Sequence, residues 1–182
     1  MKFDSILENK LRGSIDWTIP KGLEINNEIQ IFVEGGGVHK GQEIVFRGIS
    51  SNVEGSQCTV RIFRLGWYHG AGARSIIDSE ELVIEYGETW NNTNLPDESL
   101  IEQGPKWPVV FSKIVPNDWC DGMYVARFES IHGGSILVPF WLTSPKEAEG
   151  LCICFSPLNI QSRNWWGGAS ATQVINGKPK RK

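Results

Sequence analysis

Hydrophobic residues along this chain fall into short runs, with glycine, proline, asparagine and aspartate between them. From residue 28 onward, EIQIFVEG, EIVFRGIS, CTVRIFRL, ELVIEYG, VVFSKIV, GMYVARFES and GSILVPFWLTS are rich in Val, Ile, Phe, Tyr and Thr. In GMYVARFES, Tyr124, Ala126 and Phe128 share one parity, and Val125, Arg127 and Glu129 share the other. In GSILVPFWLTS, Ile136, Val138, Phe140 and Leu142 alternate with Leu137, Pro139 and Trp141. A period of two marks half-buried strands, because successive side chains point to opposite faces. Pro139 has no N–H for a ladder, so its strand is expected at an edge or with a bulge. HGGS, residues 132–135, is expected to be the hairpin connection between the last two strands. VHKGQE, residues 38–43, reads as turn punctuation ahead of the second strand.

Helical periodicity is nearly absent. SILENKLR, residues 5–12, suits one short helix, and Pro20 and Gly22 then break the chain. Residues 91–107 are polar with scattered Pro and Gly and read as a loop. Many short strands without long helices between them predict an all-β fold, an immunoglobulin-like antiparallel β-sandwich. After Ser144 the character changes. KEAEG reads as a charged linker, and LCICFSP, residues 151–157, is a continuous apolar run. Such a run fits a strand covered on both faces, as in a parallel sheet. The expected organisation is an N-terminal segment over residues 1–26, the sandwich over 27–144, and over 145–182 a linker with the truncated first strand-loop of an α/β domain.

A length of 182 residues is enough for a real core without covalent staples. The net charge of -3 gives no electrostatic footprint for nucleic acid. The start, MKFDSILENK, lacks the apolar stretch of a secretory signal, and no window is long and apolar enough to cross a bilayer. A cytoplasmic protein with no membrane and no nucleic-acid partner is therefore expected. Cys58, Cys120, Cys152 and Cys154 do not read as a disulfide framework. Cys152 and Cys154 share one strand face, but a metal site would need further ligands, and His39, His69 and His132 lack metal-ligand spacing. No metal and no cofactor are expected in this chain.

Two loops concentrate chemistry-bearing residues. RLGWYHGAGAR, residues 64–74, sets Trp67, Tyr68 and His69 between glycines and closes on Arg74. It lacks the glycine spacing of a dinucleotide loop and the Lys-Ser/Thr of a P-loop, so a sharp glycine turn with Trp67 and Tyr68 folded onto the sandwich is the preferred reading. Arg163, Asn164, Trp165 and Trp166, followed by two glycines, come after the apolar run, where open α/β sheets bind ligands. The preferred reading here is a loop that packs its indoles. These eight residues are the candidates for binding or interdomain contact, and none is assigned as catalytic. The basic tail around Lys178 is expected to be solvated.

Taken in order, RLGWYHGAGAR, NDWCDGMYVARF, ILVPFWL and SPLNIQSRNWWGGAS resemble the N,N-dimethylformamidase large (beta) subunit-like family. The matching positions lie at 64–74, 119–124, 139–140 and 164–170, and the order agrees over about residues 14 to 172. The resemblance implies a β-sandwich joined to a larger α/β domain. It also implies amide hydrolysis in the full-length family, at an iron held by two Tyr and one Glu of the α/β domain, which would polarise the carbonyl and activate water. The chain departs from the family at Ser162-Arg163-Asn164, where relatives carry Ala-Tyr-Asn; a guanidinium cannot act as a phenolate ligand.

The expected function is a non-catalytic scaffold or docking domain of a dimethylformamidase-like protein, truncated before the catalytic domain. Self-association, or a partner supplying the α/β domain, would complete it. Two alternatives stand beside it: a carbohydrate- or peptide-binding sandwich module, motivated by eight tryptophans, and a fragment of an iron-dependent amidohydrolase. A self-sufficient small hydrolase using Asp118, His69 or Cys120 ranks last, because no nucleophile–base–orienter set follows from spacing.

Overall fold

The computed structural model describes residues 5–19, 28–87, 106–143, 174–175 and 178–179. The larger of its two units spans residues 1–87 and 108–147. It contains one helical turn, α1 (Ser5–Glu8), and eight strands. These are β1 (Ile29–Val33), β2 (Gly37–His39), β3 (Glu43–Ser50), β4 (Ser56–Leu65), β5 (Ala73–Ile84), β6 (Val109–Ile114), β7 (Gly122–Ser130) and β8 (Ser135–Thr143). One sheet has the order β1-β3-β6, the other β2-β8-β7-β4-β5. All the neighbours run antiparallel except β2 and β8.

Three sequence expectations change here. VHKGQE is more than punctuation: its first residues belong to β2, which pairs in parallel with the end of β8. A fully antiparallel sandwich is therefore corrected at one edge. The fourth run, ELVIEYG, is only the end of β5, which starts at Ala73, directly after the glycine loop. Its opening, ARSII, lacks clear alternation because the β4–β5 register shifts twice, between Val60 and Ile62 and between Ile62 and Phe63. Bulges of this kind break the period-two pattern that reveals strands. The third change is that the predicted helix ends at Glu8.

Pro139 behaves as an edge residue should. The Trp141 N–H reaches Gly36 O at 2.9 Å, on the β2 side. Position 139 directs its nitrogen to the same side, two residues earlier, and the β2 pairing covers only Trp141 to Thr143. The missing donor thus falls where β8 has no neighbour. The hairpin at 132–135 also forms, with Gly133 at φ 90° and the Ser130 N–H on Gly134 O at 2.7 Å.

The core lies between the inward faces of the two sheets. Phe46 of β3 is fully buried and touches Phe111, Phe128 and Phe140 with ring centroids 5.4–5.9 Å apart. Trp119, Tyr124 and Phe140 form a stack, each step 5.3 Å. The period-two sets read from β7 and β8 face the core between the sheets: Tyr124, Ala126, Phe128, Val138, Phe140 and Leu142 are buried there and Ile136 packs against them, while Val125 and Arg127 are buried on the other face of β7.

Tyr124 carries a second function in the fold. Its hydroxyl donates to Cys120 O at 2.5 Å, four residues upstream, and ties the corner before β7 to the strand. Burial pushes the Tyr124 hydroxyl well above the usual tyrosine range, so it stays a donor. Tyr124→Phe keeps the ring stack and removes this bond. A loss of about 1–2 kcal/mol is expected, measured by urea unfolding; an unchanged midpoint would mean the corner holds without it.

The second unit comprises residues 88–107 and 148–182. Its described strands are β9 (Val174–Ile175) and β10 (Lys178–Pro179), which pair antiparallel. Lys178 therefore lies in a strand pair. The apolar run at 151–157 and the loop with Arg163, Asn164, Trp165 and Trp166 lie outside the described residues.

Candidate functional site

The most concentrated polar chemistry among the described residues lies where the 64–74 loop meets the N-terminal segment. The loop turns β4 into β5. Tyr68 and His69 adopt left-handed backbone, φ 38° and 58°, inside a 3-10 turn at Tyr68–Gly70. Left-handed φ is uncommon for residues with a Cβ and persists only where the surroundings enforce it. The enforcement is visible. Asn9 Oδ1 accepts the Trp67 N–H at 2.8 Å and the Tyr68 N–H at 3.5 Å. Gly66 sits where a Cβ would come within 2.8 Å of both Asn9 Oδ1 and the Tyr68 ring. Only glycine lets the N-terminal segment approach so closely.

Tyr68 is buried beneath this turn, and its hydroxyl is shared between two charged groups. It donates to Glu8 Oε1 at 2.8 Å and accepts from Arg64 Nη1 at 2.8 Å. Arg74 Nε and Nη2 reach the same Glu8 oxygen at 2.8 and 2.7 Å. Arg64 also donates to Asp121 O at 2.8 Å and Cys120 O at 3.4 Å. Glu8 is only 4% exposed. Burial raises the Tyr68 hydroxyl above its ordinary pKa, Arg64 works against that, and Glu8 adds to it. Tyr68 therefore remains a protonated donor.

The register explains why a carboxylate is buried here. Arg64 of β4 lies directly opposite Arg74 of β5. Like charges at directly paired positions repel. Glu8 supplies the counter-ion of Arg74, and the Tyr68 hydroxyl links it to Arg64; a buried charge is tolerable when it is paired and hydrogen-bonded.

Of the four sequence candidates in this loop, Tyr68 and Arg74 converge on Glu8. Trp67 and His69 do not join them. Trp67 is 69% exposed, which corrects the expectation that it folds onto the sandwich. His69 Nε2 lies 3.3 Å from Lys10 O on the surface. Glu8, Asn9 and Arg64 were not signalled as site residues. Arg64 had a legible signal: Cys58, Val60, Ile62 and Arg64 share one strand parity, so an apolar face ends in a guanidinium. Glu8 had none, because nothing local marks a helix carboxylate for burial. The corner at Tyr124 could have been found from Asp121-Gly122 just ahead of an inward tyrosine, a combination typical of sandwich corners.

A second polar cluster ties strands together. Glu28 Oε1 accepts the hydroxyls of Ser56 and Ser130, each at 2.6 Å, and Ser56 lies 2.8 Å from Ser50. Nearby Cys58 has its thiol pushed up to about 12 by burial, with Glu28 adding to the effect. Burial raises Cys120 as well. Thiols so protonated are poor nucleophiles.

The resemblance puts its iron set in the α/β domain, and the tyrosines and glutamate of the sandwich do not form a second one. Tyr68 and Glu8 are neighbours, but two guanidinium groups already occupy their oxygens, and Tyr124 is committed to Cys120 O. Among the described residues, no three His, Cys, Asp or Glu form a group that could hold a metal ion. Also among these residues, no helix is long and apolar enough to cross a membrane.

Comparison with known proteins places this geometry in context. The family model described as N,N-dimethylformamidase beta subunit-like, C-terminal, matches residues 59–181. No curated protein matches the chain. Among solved structures, the alkylpurine DNA glycosylase AlkC of Pseudomonas fluorescens is 13% identical, with a TM-score of 0.36 over 64% of this chain and 31% of its own. An uncharacterized protein from Bacillus anthracis is 12% identical, with a TM-score of 0.37 over 62% of this chain and 84% of its own. A mutant β-glucosidase from Listeria innocua, in complex with laminaribiose, is 5% identical, with a TM-score of 0.33 over 64% of this chain and 16% of its own. Likenesses this distant say nothing about activity. The chain spans about a third of the glycosylase and a sixth of the glucosidase.

Proposed function

The chain belongs to the N,N-dimethylformamidase beta subunit-like family, and from that premise we propose that its sandwich is a non-catalytic scaffold or docking domain. One observation carries the reading. The polar groups with chemical potential in the described sandwich, Tyr68, Arg64, Arg74 and Glu8, are consumed in holding its loop. A group locked in a satisfied buried network is unavailable for a reacting atom. Cys58 and Cys120 are free, buried thiols, which supports a reducing, cytoplasmic setting.

The strand order supports the finer reading of an immunoglobulin-like sandwich. β1 lies on one sheet and β2 on the other, beside the last strand, and a tyrosine corner precedes β7. Trp119 stacks in the core and Trp67 alone among the described indoles is largely exposed, which does not build the aromatic platform of a sugar-binding module.

The test is iron analysis of the purified chain together with a formamide-hydrolysis assay. We expect no turnover, with or without added iron. Turnover that tracks bound iron would overturn the scaffold reading and identify the chain as part of an amidohydrolase.

A further inference from the structure

We infer that the converging donors of Tyr68 and Arg74, with Arg64 behind Tyr68, are a carboxylate-binding site that the N-terminal segment fills in cis with Glu8. The donors belong to the sandwich: the Tyr68 hydroxyl, Arg74 Nε and Nη2, and the Trp67 N–H. The acceptors, the Glu8 carboxylate and Asn9 Oδ1, arrive on the N-terminal segment. With that segment lifted away, the Arg74 guanidinium would lose its anion, and the Tyr68 hydroxyl and the Trp67 N–H would lose their acceptors, while Arg64 would keep the carbonyls of Cys120 and Asp121. That is the donor set of a carboxylate receptor.

The segment that carries Glu8 is built as a removable ligand. Its far end is fixed by apolar packing, where Trp17 covers Phe63, Ala73 and Val125, and by Trp17 Nε1 on Ala71 O at 3.1 Å. Its near end is inside out. A single helical turn buries its glutamate, while Ile6 and Leu7 within it and Leu11 beyond it are 46–67% exposed. A helix held by its apolar face would do the reverse. Glu8, Asn9 and the Lys10 carbonyl facing His69 are polar anchors of the near end, and a carboxylate in trans competes for the donors of the first. While Glu8 is attached, its effective concentration keeps outside acids out.

Rescue tests the site in the full chain. Glu8→Gly is expected to melt below the parent. Sodium acetate is expected to raise its midpoint by about 3–6 °C for each tenfold rise beyond half-saturation. Sodium chloride at equal ionic strength should not do so, and the parent should not respond. The rescue should vanish in the Glu8→Gly, Arg74→Ala double variant. A peptide of residues 1–19 should rescue at lower concentration than acetate if the site is built for a peptide acid, and no better than acetate if it is built for a small acid. Acetate acting like chloride, or rescue persisting without Arg74, would overturn the inference. Should Glu8→Gly not fold in buffer, refolding yield in acetate against chloride gives the same reading, and equal yields overturn it.

Discussion

Arg64→Ala is expected to destabilise the sandwich by about 2–4 kcal/mol, the scale for losing hydrogen bonds from a charged donor together with the packing of its buried stem. The guanidinium is 6% exposed and spans three elements. Nη1 meets the Tyr68 hydroxyl in the loop, Nη2 meets Asp121 O before β7, and both belong to the end of the sandwich where β4 gives way to the turn. Truncation leaves Asp121 O without this donor and lets the Tyr68 side chain relax. The strained backbone at Tyr68 and His69 then loses part of what enforces it. Arg64→Lys is expected to recover little, because an ammonium cannot fork between the hydroxyl and the two carbonyls. Urea unfolding followed by tryptophan fluorescence checks this. A change below about 1 kcal/mol would show that the loop is held by its glycines and Asn9 instead. Hydrogen exchange at the amides of 66–72 separates local loosening from global loss: a local role predicts faster exchange there before β7 is affected.

The second large effect is in the core. Phe46→Ala removes the ring against which Phe111, Phe128 and Phe140 pack, two of them edge-on at 63° and 82°. It joins β6 of its own sheet to β7 and β8 of the other. The cost is about 3–5 kcal/mol, made of lost transfer energy and a cavity that three rigid rings close poorly. The urea midpoint should fall with an unchanged slope, since the surface exposed on unfolding hardly changes. Phe46→Leu should cost less, because it leaves a smaller void. A Phe46→Ala change near zero would mean the two sheets are held together mainly elsewhere, for instance by the Trp119–Tyr124 stack.

The sequence by itself determined the β-rich class, seven of the strand runs, and which residues of β7 and β8 face inward. It did so because successive side chains of a strand point to opposite faces, so the apolar parity marks the face turned to the core. It also determined the place of the 132–135 hairpin and the edge character of Pro139, since Gly and Pro act locally. Only the tertiary structure decided the rest. The extent of β5 was hidden because two register shifts erase its alternation. The parallel pairing of β2 was hidden because three residues carry no period. The site was half legible: Tyr68 and Arg74 stood out in their glycine loop, while Glu8 lies 60 residues from Tyr68 and 66 from Arg74. A charge becomes buried only when distant chain segments bring it its counter-charges, and that is a property of register and packing, which no local run of residues records.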